Sequence, residues 1–212
     1  MINFAGRLVM YNCIIFDIDG TILDTREASL LAVQKAYFEE SGKLLPPEEF
    51  DFSFRTTTRN TAKILKVRDA DRFISNIDRQ YQFFSDRNRI FDGMEDVIRR
   101  LFEQNIYMGV VTSKSIWEYE HDFTHFNLSR YFGQAVCVEH TPKHKPAPEP
   151  LYKFFELSGQ KSETSLYIGD SSSDALCAKS AGVDFALAKW GAIEDIAAKY
   201  YLDKPEELFD IL

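Results

Sequence analysis

The sequence has few cysteines, fewer basic than acidic residues, and no long apolar run. Its three cysteines, Cys13, Cys137 and Cys177, are odd in number and form no CxxC pair. This pattern is typical of reduced cytosolic thiols rather than of a disulfide framework. No apolar run approaches the roughly 18 residues that cross a bilayer, and residues 1–11 lack the apolar stretch of a signal peptide. We therefore expect a cytoplasmic protein without a membrane partner.

The shortage of basic residues argues against one class of partner. The 25 Lys and Arg face 33 Asp and Glu, for a formal net charge of −8. Because an acidic surface repels phosphate backbones, nucleic acid is not an expected partner. An enzyme acting on small phosphates stays open, since the local field of a site can oppose the global charge. With 45% hydrophobic and 27% charged residues, the composition is globular and excludes wholesale disorder.

Short apolar runs alternate with helical patterns over most of the chain. The runs are residues 12–16, 106–111, 135–138, 165–168 and 184–187. The helical patterns between and after them are 93–104, 115–126, 149–158, 171–181 and 192–200. This alternation predicts an α/β fold with a doubly wound parallel sheet. Ligands of such sheets bind beyond the carboxyl ends of the strands, where Asp17, Thr112 and Asp170 lie.

The alternation breaks after the first strand. Residues 25–91 contain no convincing strand, and their helical patterns are 26–41, a helix start at 46–49, 58–66 and 69–89. The segment carries 12 Lys and Arg and 10 Asp and Glu, whereas the remainder carries 13 and 23. We predict a helical subdomain at 25–91, inserted into a core formed by 1–24 and 92–212.

Two carboxylates follow the first predicted strand. Asp17 and Asp19 are two positions apart, so on extended backbone they point to the same side, and Gly20 permits a sharp exit. Their charges beside an apolar strand are costly unless a cation neutralises them, and Mg²⁺ is the usual cation where phosphate is present. An acidic turn that caps a helix explains DxDG about equally well. An EF-hand is excluded, because Ile22 and Ala28 stand where its Gly and Glu belong.

A second acidic strand end favours the functional interpretation. Asp170 ends another apolar run and Asp174 lies one turn into the next helix, although Asp170 alone could be an N-cap. Strand ends of one parallel sheet share an edge, so these carboxylates and the first pair are expected to converge. Thr112 and Lys145 join this set, although alone a helix cap and a solvated loop charge would explain them.

Four segments carry a family resemblance. DIDGT at 17–21, VVTSK at 110–114, KPAPEP at 145–150 and GDSSSD at 169–174 have the order and approximate spacing of the haloacid dehalogenase-like superfamily. The helical insert resembles the C1 cap of that superfamily, and the whole chain from about Tyr11 is most similar to its phosphoglycolate-phosphatase-like hydrolases. The resemblance implies a Rossmann-like core and Mg²⁺-dependent hydrolysis of a small phosphorylated metabolite, with phosphoglycolate, pyrophosphate, nucleotides and sugar phosphates all open as substrates. We expect a monomer or a homodimer.

The resemblance also implies roles for the acidic residues. Asp17 is the nucleophile that forms an aspartyl-phosphate. Asp19 is the general acid that protonates the leaving oxygen and then the base that activates water. Mg²⁺ is held by Asp17, the backbone carbonyl of Asp19, and Asp170. Asp174 holds metal-bound water or orients Lys145 of the third segment.

Other implied contacts concern the substrate. Thr112 and Ser113 contact the phosphoryl oxygens, and Lys145 neutralises the nucleophile and the transferring phosphate. Arg55 and Arg59, four residues apart on one predicted helix face, are candidates for binding an anionic substrate, the alternative being a solvated basic face.

The residues argue against three alternatives to a phosphatase. True dehalogenases of the superfamily lack a carboxylate at the position of Asp19. Mutases similar to β-phosphoglucomutase carry a cap histidine where Ser29 stands, so a phosphoglucomutase-like transferase is the second choice. A non-catalytic module that binds a phosphorylated ligand is disfavoured by the intact acidic set.

His121 and His125 have a spacing that metal sites use, but HDFTH is not HExxH and no zinc site is expected.

Overall fold

The computed structural model describes residues 11–55 and 58–212. The chain forms two compact units, Asp24–Arg89 as one, and residues 11–23 with Ile90–Leu212 as the other. We call them the helical unit and the sheet unit. Among the described residues, no helix has the length and apolar character needed to span a bilayer.

The sheet unit is built on parallel strands. In chain order, the strands are β1 Cys13–Phe16, β2 Leu23–Asp24, β3 Arg89–Ile90, β4 Tyr107–Val111, β5 Gln134–Val136, β6 Ser165–Gly169, β7 Asp184–Ala188 and β8 Tyr200–Leu202. Six of them form one parallel sheet in the order β5-β4-β1-β6-β7-β8, while β2 and β3 pair separately. The predicted α/β fold with a parallel Rossmann-like sheet is confirmed.

Helices connect these strands and make up most of the helical unit. They are α1 Arg26–Ser41, α2 Thr58–Ile64, α3 Ala70–Phe84, α4 Met94–Glu103, α5 Ile116–His125, α6 Glu149–Ser158 and α7 Ser172–Ala181. Before α2, the segment Pro47–Arg55 winds as 3₁₀ turns. The helices α5 and α7 each begin at a serine that forms a capping box, Ser115 with Glu118 and Ser171 with Asp174.

Alternation along β1 distributes the apolar side chains to both faces of the sheet. Ile14 and Phe16 are buried in one cluster, and Cys13 and Ile15 in another. All three cysteines are buried free thiols. The helical unit has an apolar cluster of its own around Phe50.

The helix predicted at 192–200 is wrong, and the helix predicted at 69–89 is too long. Residues 192–199 are irregular and Tyr200–Leu202 is β8, because the open edge of β7 offers unsatisfied backbone groups that β8 pairs with. Tyr200 and Leu202 are buried there, whereas Tyr201 is exposed. The helix predicted at 69–89 ends at Phe84, and the chain then returns as β3 within a segment where no strand was expected.

The register of the sheet determines which residues meet at its carboxyl edge. Phe16, the last residue of β1, is level with Val110 of β4 and with Ile168 of β6. The residues that follow, Asp17 among them, therefore emerge side by side at one edge.

Candidate active site

Three carboxylates meet at this edge. Asp17 follows β1, Asp170 follows β6, and Asp174 lies in the first turn of α7, and one carboxylate oxygen of each lies within 4.8 Å of the others. Asp17 and Asp174 are buried and Asp170 partly so. The capping box of α7 fixes Asp174, whose Oδ2 accepts hydrogen bonds from the backbone N–H of Ser171 at 3.1 Å and from its hydroxyl at 2.5 Å.

Lys145 supplies positive charge to two of these carboxylates. Its Nζ lies 2.8 Å from Asp17 Oδ1 and 2.7 Å from Asp174 Oδ1, and its side chain is only 4% exposed. Burial lowers the pKa of Lys145, but the charges of Asp17 and Asp174 outweigh burial and hold this pKa above the usual value of lysine. The Tyr167 hydroxyl lies 2.8 Å from Asp174 Oδ1 and completes the contacts on that side.

The pKa values of two of the three carboxyl groups are raised, mainly by burial and partly by neighbouring negative charge. Burial raises the pKa of Asp17 to about 7; Lys145 opposes this rise, whereas the charges of Asp174 and Asp19 add to it. Burial and the charges of Asp17 and Asp174 raise the pKa of Asp170 well above its usual value. Burial also acts on Asp174, but the charge and hydrogen bond of Lys145 outweigh it and lower that pKa. Oxygen ligands with too little positive charge suit a hard cation such as Mg²⁺.

Backbone around the DIDGT segment is shaped to admit the carboxylate of Asp170. Gly20 has a φ of +78°, and a Cβ added there would lie 2.0 Å from Asp170 Oδ2. The loop after β7 supports the same segment: Trp190 Nε1 donates a hydrogen bond to the carbonyl oxygen of Thr21 at 3.0 Å. A Cβ on Gly191 would lie 1.8 Å from the carbonyl oxygen of Gly20. Sequence reasoning did not find this support, because Trp190 and Gly191 belong to none of the four segments.

Asp19 contacts a different lysine. Lys114 Nζ lies 3.0 Å from Asp19 Oδ1 and 3.1 Å from Asp122 Oδ2 of α5. The sequence pattern singles out neither Lys114, although it stands in the VVTSK segment, nor Asp122. A signal for Asp122 was present, since it lies at helical spacing from Tyr119 and Phe126, two residues that pack on the apolar core.

Thr112 lies at the same edge. It is buried, and its Oγ1 accepts a hydrogen bond from the backbone N–H of Lys114 at 3.2 Å. Ser113 between them is exposed. The side chain of Thr112 therefore braces the turn that carries the lysine, and its contact with substrate stays a prediction.

Comparison with known proteins identifies the family. The family model for haloacid dehalogenase-like hydrolases matches residues 14–188. The chain belongs to this family. The resemblance and the hydrolase class predicted from the four segments are confirmed.

Relatives of this haloacid dehalogenase-like hydrolase match over most of its length. A Caldanaerobacter subterraneus protein with the provisional name pyrophosphatase PpaX is 32% identical over 182 residues, which are 85% of this chain and 82% of that protein. Pyrophosphatase PpaX of Bacillus cereus is 25% identical over 209 residues, 95% of this chain and 96% of that protein. A Lactobacillus plantarum crystal structure, provisionally assigned as a phosphoglycolate phosphatase, has a TM-score of 0.82 at 25% identity, covering 96% of this chain and 100% of that one.

The two arginines predicted to contact substrate belong to the helical unit of the hydrolase. The guanidinium of Arg59 in α2 lies 2.5 Å from Asp71 Oδ1, and both side chains are exposed. Arg55 ends the 3₁₀ segment, and its side chain lies outside the described residues, as do Thr56 and Thr57. Asp71 thus balances the charge of Arg59 within its own unit, and the role of both arginines stays a prediction.

Replacing Gly20 tests whether activity depends on the position of the Asp170 carboxylate. We expect Gly20→Ala to lower kcat/KM about 100-fold, because the added Cβ displaces the Asp170 carboxylate from the cluster. Gly159→Ala is the matched control, since Gly159 has a φ of +69° with nothing within 4 Å of an added Cβ. Both variants incur a backbone cost of about 1–2 kcal/mol, which thermal unfolding measures. Equal activities in the two variants would contradict the placement of Asp170.

Proposed function

We propose that the chain is a Mg²⁺-dependent phosphatase that hydrolyses a small phosphorylated metabolite through an aspartyl-phosphate. The observation that carries the proposal is the setting of Asp17. Its carboxylate is buried at a strand end, belongs to an acidic cluster, and has Oδ1 held by Lys145 at 2.8 Å. A fixed carboxylate beside a cation is suited to attack phosphorus, because the neighbouring positive charge offsets its repulsion from the phosphate.

The first step transfers the phosphoryl group to the protein. A carboxylate oxygen of Asp17 forms the new bond to phosphorus, and the bond from phosphorus to the leaving oxygen breaks. Asp19 gives its proton to the leaving oxygen, so that a phosphate ester releases an alcohol rather than an alkoxide, and pyrophosphate releases a protonated phosphate. Lys145 offsets negative charge on the nucleophile and on the transferring group.

The second step returns the protein to its starting state. Asp19, now a carboxylate, takes a proton from water as the water oxygen attacks phosphorus. The bond between phosphorus and the Asp17 oxygen breaks, which releases inorganic phosphate and restores both side chains. One carboxyl group therefore serves as acid and then as base.

The residues present fit a divalent cation. Asp17, Asp170 and the backbone carbonyl of Asp19 would hold it, and Asp174 would hold its water or orient Lys145. Two observations support this assignment. The pKa values of Asp17 and Asp170 are raised, and Gly20 leaves space for the Asp170 carboxylate. When bound, Mg²⁺ neutralises charge on the transferring phosphoryl group.

The relatives suggest the substrate class. Pyrophosphate and phosphoglycolate, named for the relatives above, both carry a second anionic group beside the phosphoryl group. We propose a substrate of this kind, for an enzyme that works in the cytoplasm as a monomer or homodimer. Arg59, should it exchange Asp71 for substrate, is a candidate for the second anionic group.

A substrate panel tests the function. We expect Mg²⁺-supported release of phosphate from pyrophosphate or phosphoglycolate to exceed release from sugar phosphates, nucleoside monophosphates and p-nitrophenyl phosphate. Preference for an ester without a second anionic group contradicts the substrate class. Isomerisation of a sugar phosphate without phosphate release indicates a mutase, and binding without any turnover indicates a non-catalytic module.

A further inference from the structure

Lys114, the lysine of the VVTSK segment, lies between two aspartate carboxylates that come from different parts of the fold. One belongs to Asp19 at the carboxyl edge of the sheet, and the other to Asp122 in the core-facing side of α5. We propose that Lys114 and Asp122 are a positioning pair that holds the Asp19 carboxyl group where it protonates the leaving oxygen. This inference rests on the proposed phosphatase function and adds two residues to it.

Lys114 is fixed along its whole length. Its backbone N–H donates to Thr112 Oγ1 at 3.2 Å, and its carbonyl oxygen accepts from the Val138 N–H at 3.0 Å. Its side chain is 4% exposed and that of Asp122 is 3% exposed. An ammonium group anchored in this way keeps one position, so any group that pairs with it is placed as well.

Asp19 itself needs placing. Its side chain is 40% exposed, and solvent-facing carboxylates exchange among several rotamers. The ion pair with Lys114 engages Oδ1, which is buried, so the exposed part of the side chain lies away from this contact. A general acid must present its proton within hydrogen-bond reach of the leaving oxygen, and the contact selects one orientation for this purpose.

Asp122 explains how a lysine can occupy this place. A buried ammonium without a charged partner is strongly disfavoured. Asp122 offsets the charge of Lys114 at 3.1 Å from the protein side. Two carboxylates then share one ammonium, so Lys114 acts on Asp19 by position rather than as an undivided counter-charge.

The dependence of rate on the leaving group tests the proposal. The double variant Lys114→Met/Asp122→Asn removes both buried charges together, and Lys153→Met/Glu156→Gln is the matched control at an exposed pair on α6. The measurement is kcat/KM for phosphate esters from 2,4-dinitrophenyl phosphate to an alkyl phosphate. This ratio reports steps up to leaving-group departure, so slow hydrolysis of the aspartyl-phosphate does not mask the effect.

We expect the double variant to lose about 100-fold on the alkyl phosphate, whose alkoxide needs a proton, and less than about threefold on the dinitrophenyl ester. Asp19→Asn should give the same selective loss, and adding the double variant to it should give little more. An equal loss on every ester, as expected of a phosphate ligand or a merely structural pair, overturns the proposal.

Two further results keep the test decisive. Should the double variant unfold in circular dichroism, Asp122→Asn alone must show a smaller loss with the same preference for the alkyl ester, and a loss without that preference overturns the inference. Wild-type protein inactive on every ester and on pyrophosphate overturns the proposed function itself. An active wild type, an Asp19→Asn variant with the selective loss and a double variant with normal rates together overturn only the positioning pair.

Discussion

Asp17→Asn is expected to lower turnover of every phosphate substrate by at least about 10⁴-fold while the protein stays folded. An amide nitrogen or oxygen does not replace the carboxylate as nucleophile, and the substitution removes one anionic ligand from the proposed cation site. The fold should tolerate the change, because burial of a neutral amide is less costly than burial of a charge, and Lys145 retains Asp174 at 2.7 Å.

Steady-state kinetics and near-UV circular dichroism measure the two halves of this prediction. Asp184→Asn is a suitable control, because this substitution makes the same change of charge within the sheet unit. Asp184 pairs with Lys199, outside the acidic cluster. Mass spectrometry of wild-type protein quenched in acid should detect a phosphoryl group on Asp17. A folded Asp17→Asn protein that retains more than a few per cent of the wild-type rate rules out the covalent mechanism.

Exhaustive chelation is expected to abolish turnover, and Mg²⁺ to restore it. The oxygens of Asp17, Asp170 and Asp174 lie within 4.8 Å of one another, and among the described residues Lys145 pairs with the first and third only. A substrate phosphate adds further negative charge to this place. Without a divalent cation, repulsion should prevent both productive binding and phosphoryl transfer.

Thermal unfolding gives a measurement of the cation that does not depend on activity. At a Mg²⁺ concentration 100 times its Kd, the free energy of unfolding should rise by about 2.7 kcal/mol, seen as a higher Tm. Asp170→Asn should greatly reduce this rise, whereas Asp96→Asn, at an exposed pair with Arg99, should leave it intact. Full activity in metal-free protein, or an unchanged response in Asp170→Asn, contradicts the assigned ligands.

The convergence of the acidic residues is predictable because it depends on a simple rule of topology. Each of two apolar runs stops at an acidic segment, and parallel strands place such stops at one edge. Local signals also define some helices well: α1 and α6 begin and end as predicted, and both stop at a glycine with a positive φ, Gly42 and Gly159. Here local preference and tertiary packing agree.

Other features of the fold and of the site depend on tertiary packing, which the sequence pattern does not reveal. The pattern at 192–200 favours a helix, but pairing with the edge of β7 outweighs helix propensity and yields β8. Tyr167 lies in an apolar strand and resembles a core aromatic, yet its hydroxyl contacts Asp174. Lys114 lies in the turn before α5 and Asp122 lies within this helix, and their buried ion pair has no signature in sequence spacing.

The central position of β1 has a consequence for biosynthesis. This strand lies between β4 and β6, which the ribosome makes only after the entire helical unit. The contiguous helical unit, with its own apolar cluster, can fold as it emerges, whereas Ile14, Ile15 and Phe16 must wait without strand partners. The last acidic segment of the cluster follows β6, and β7 and β8 are translated after it. The nascent chain therefore acquires its acidic cluster late in synthesis, after Asp170 and Asp174 have been translated.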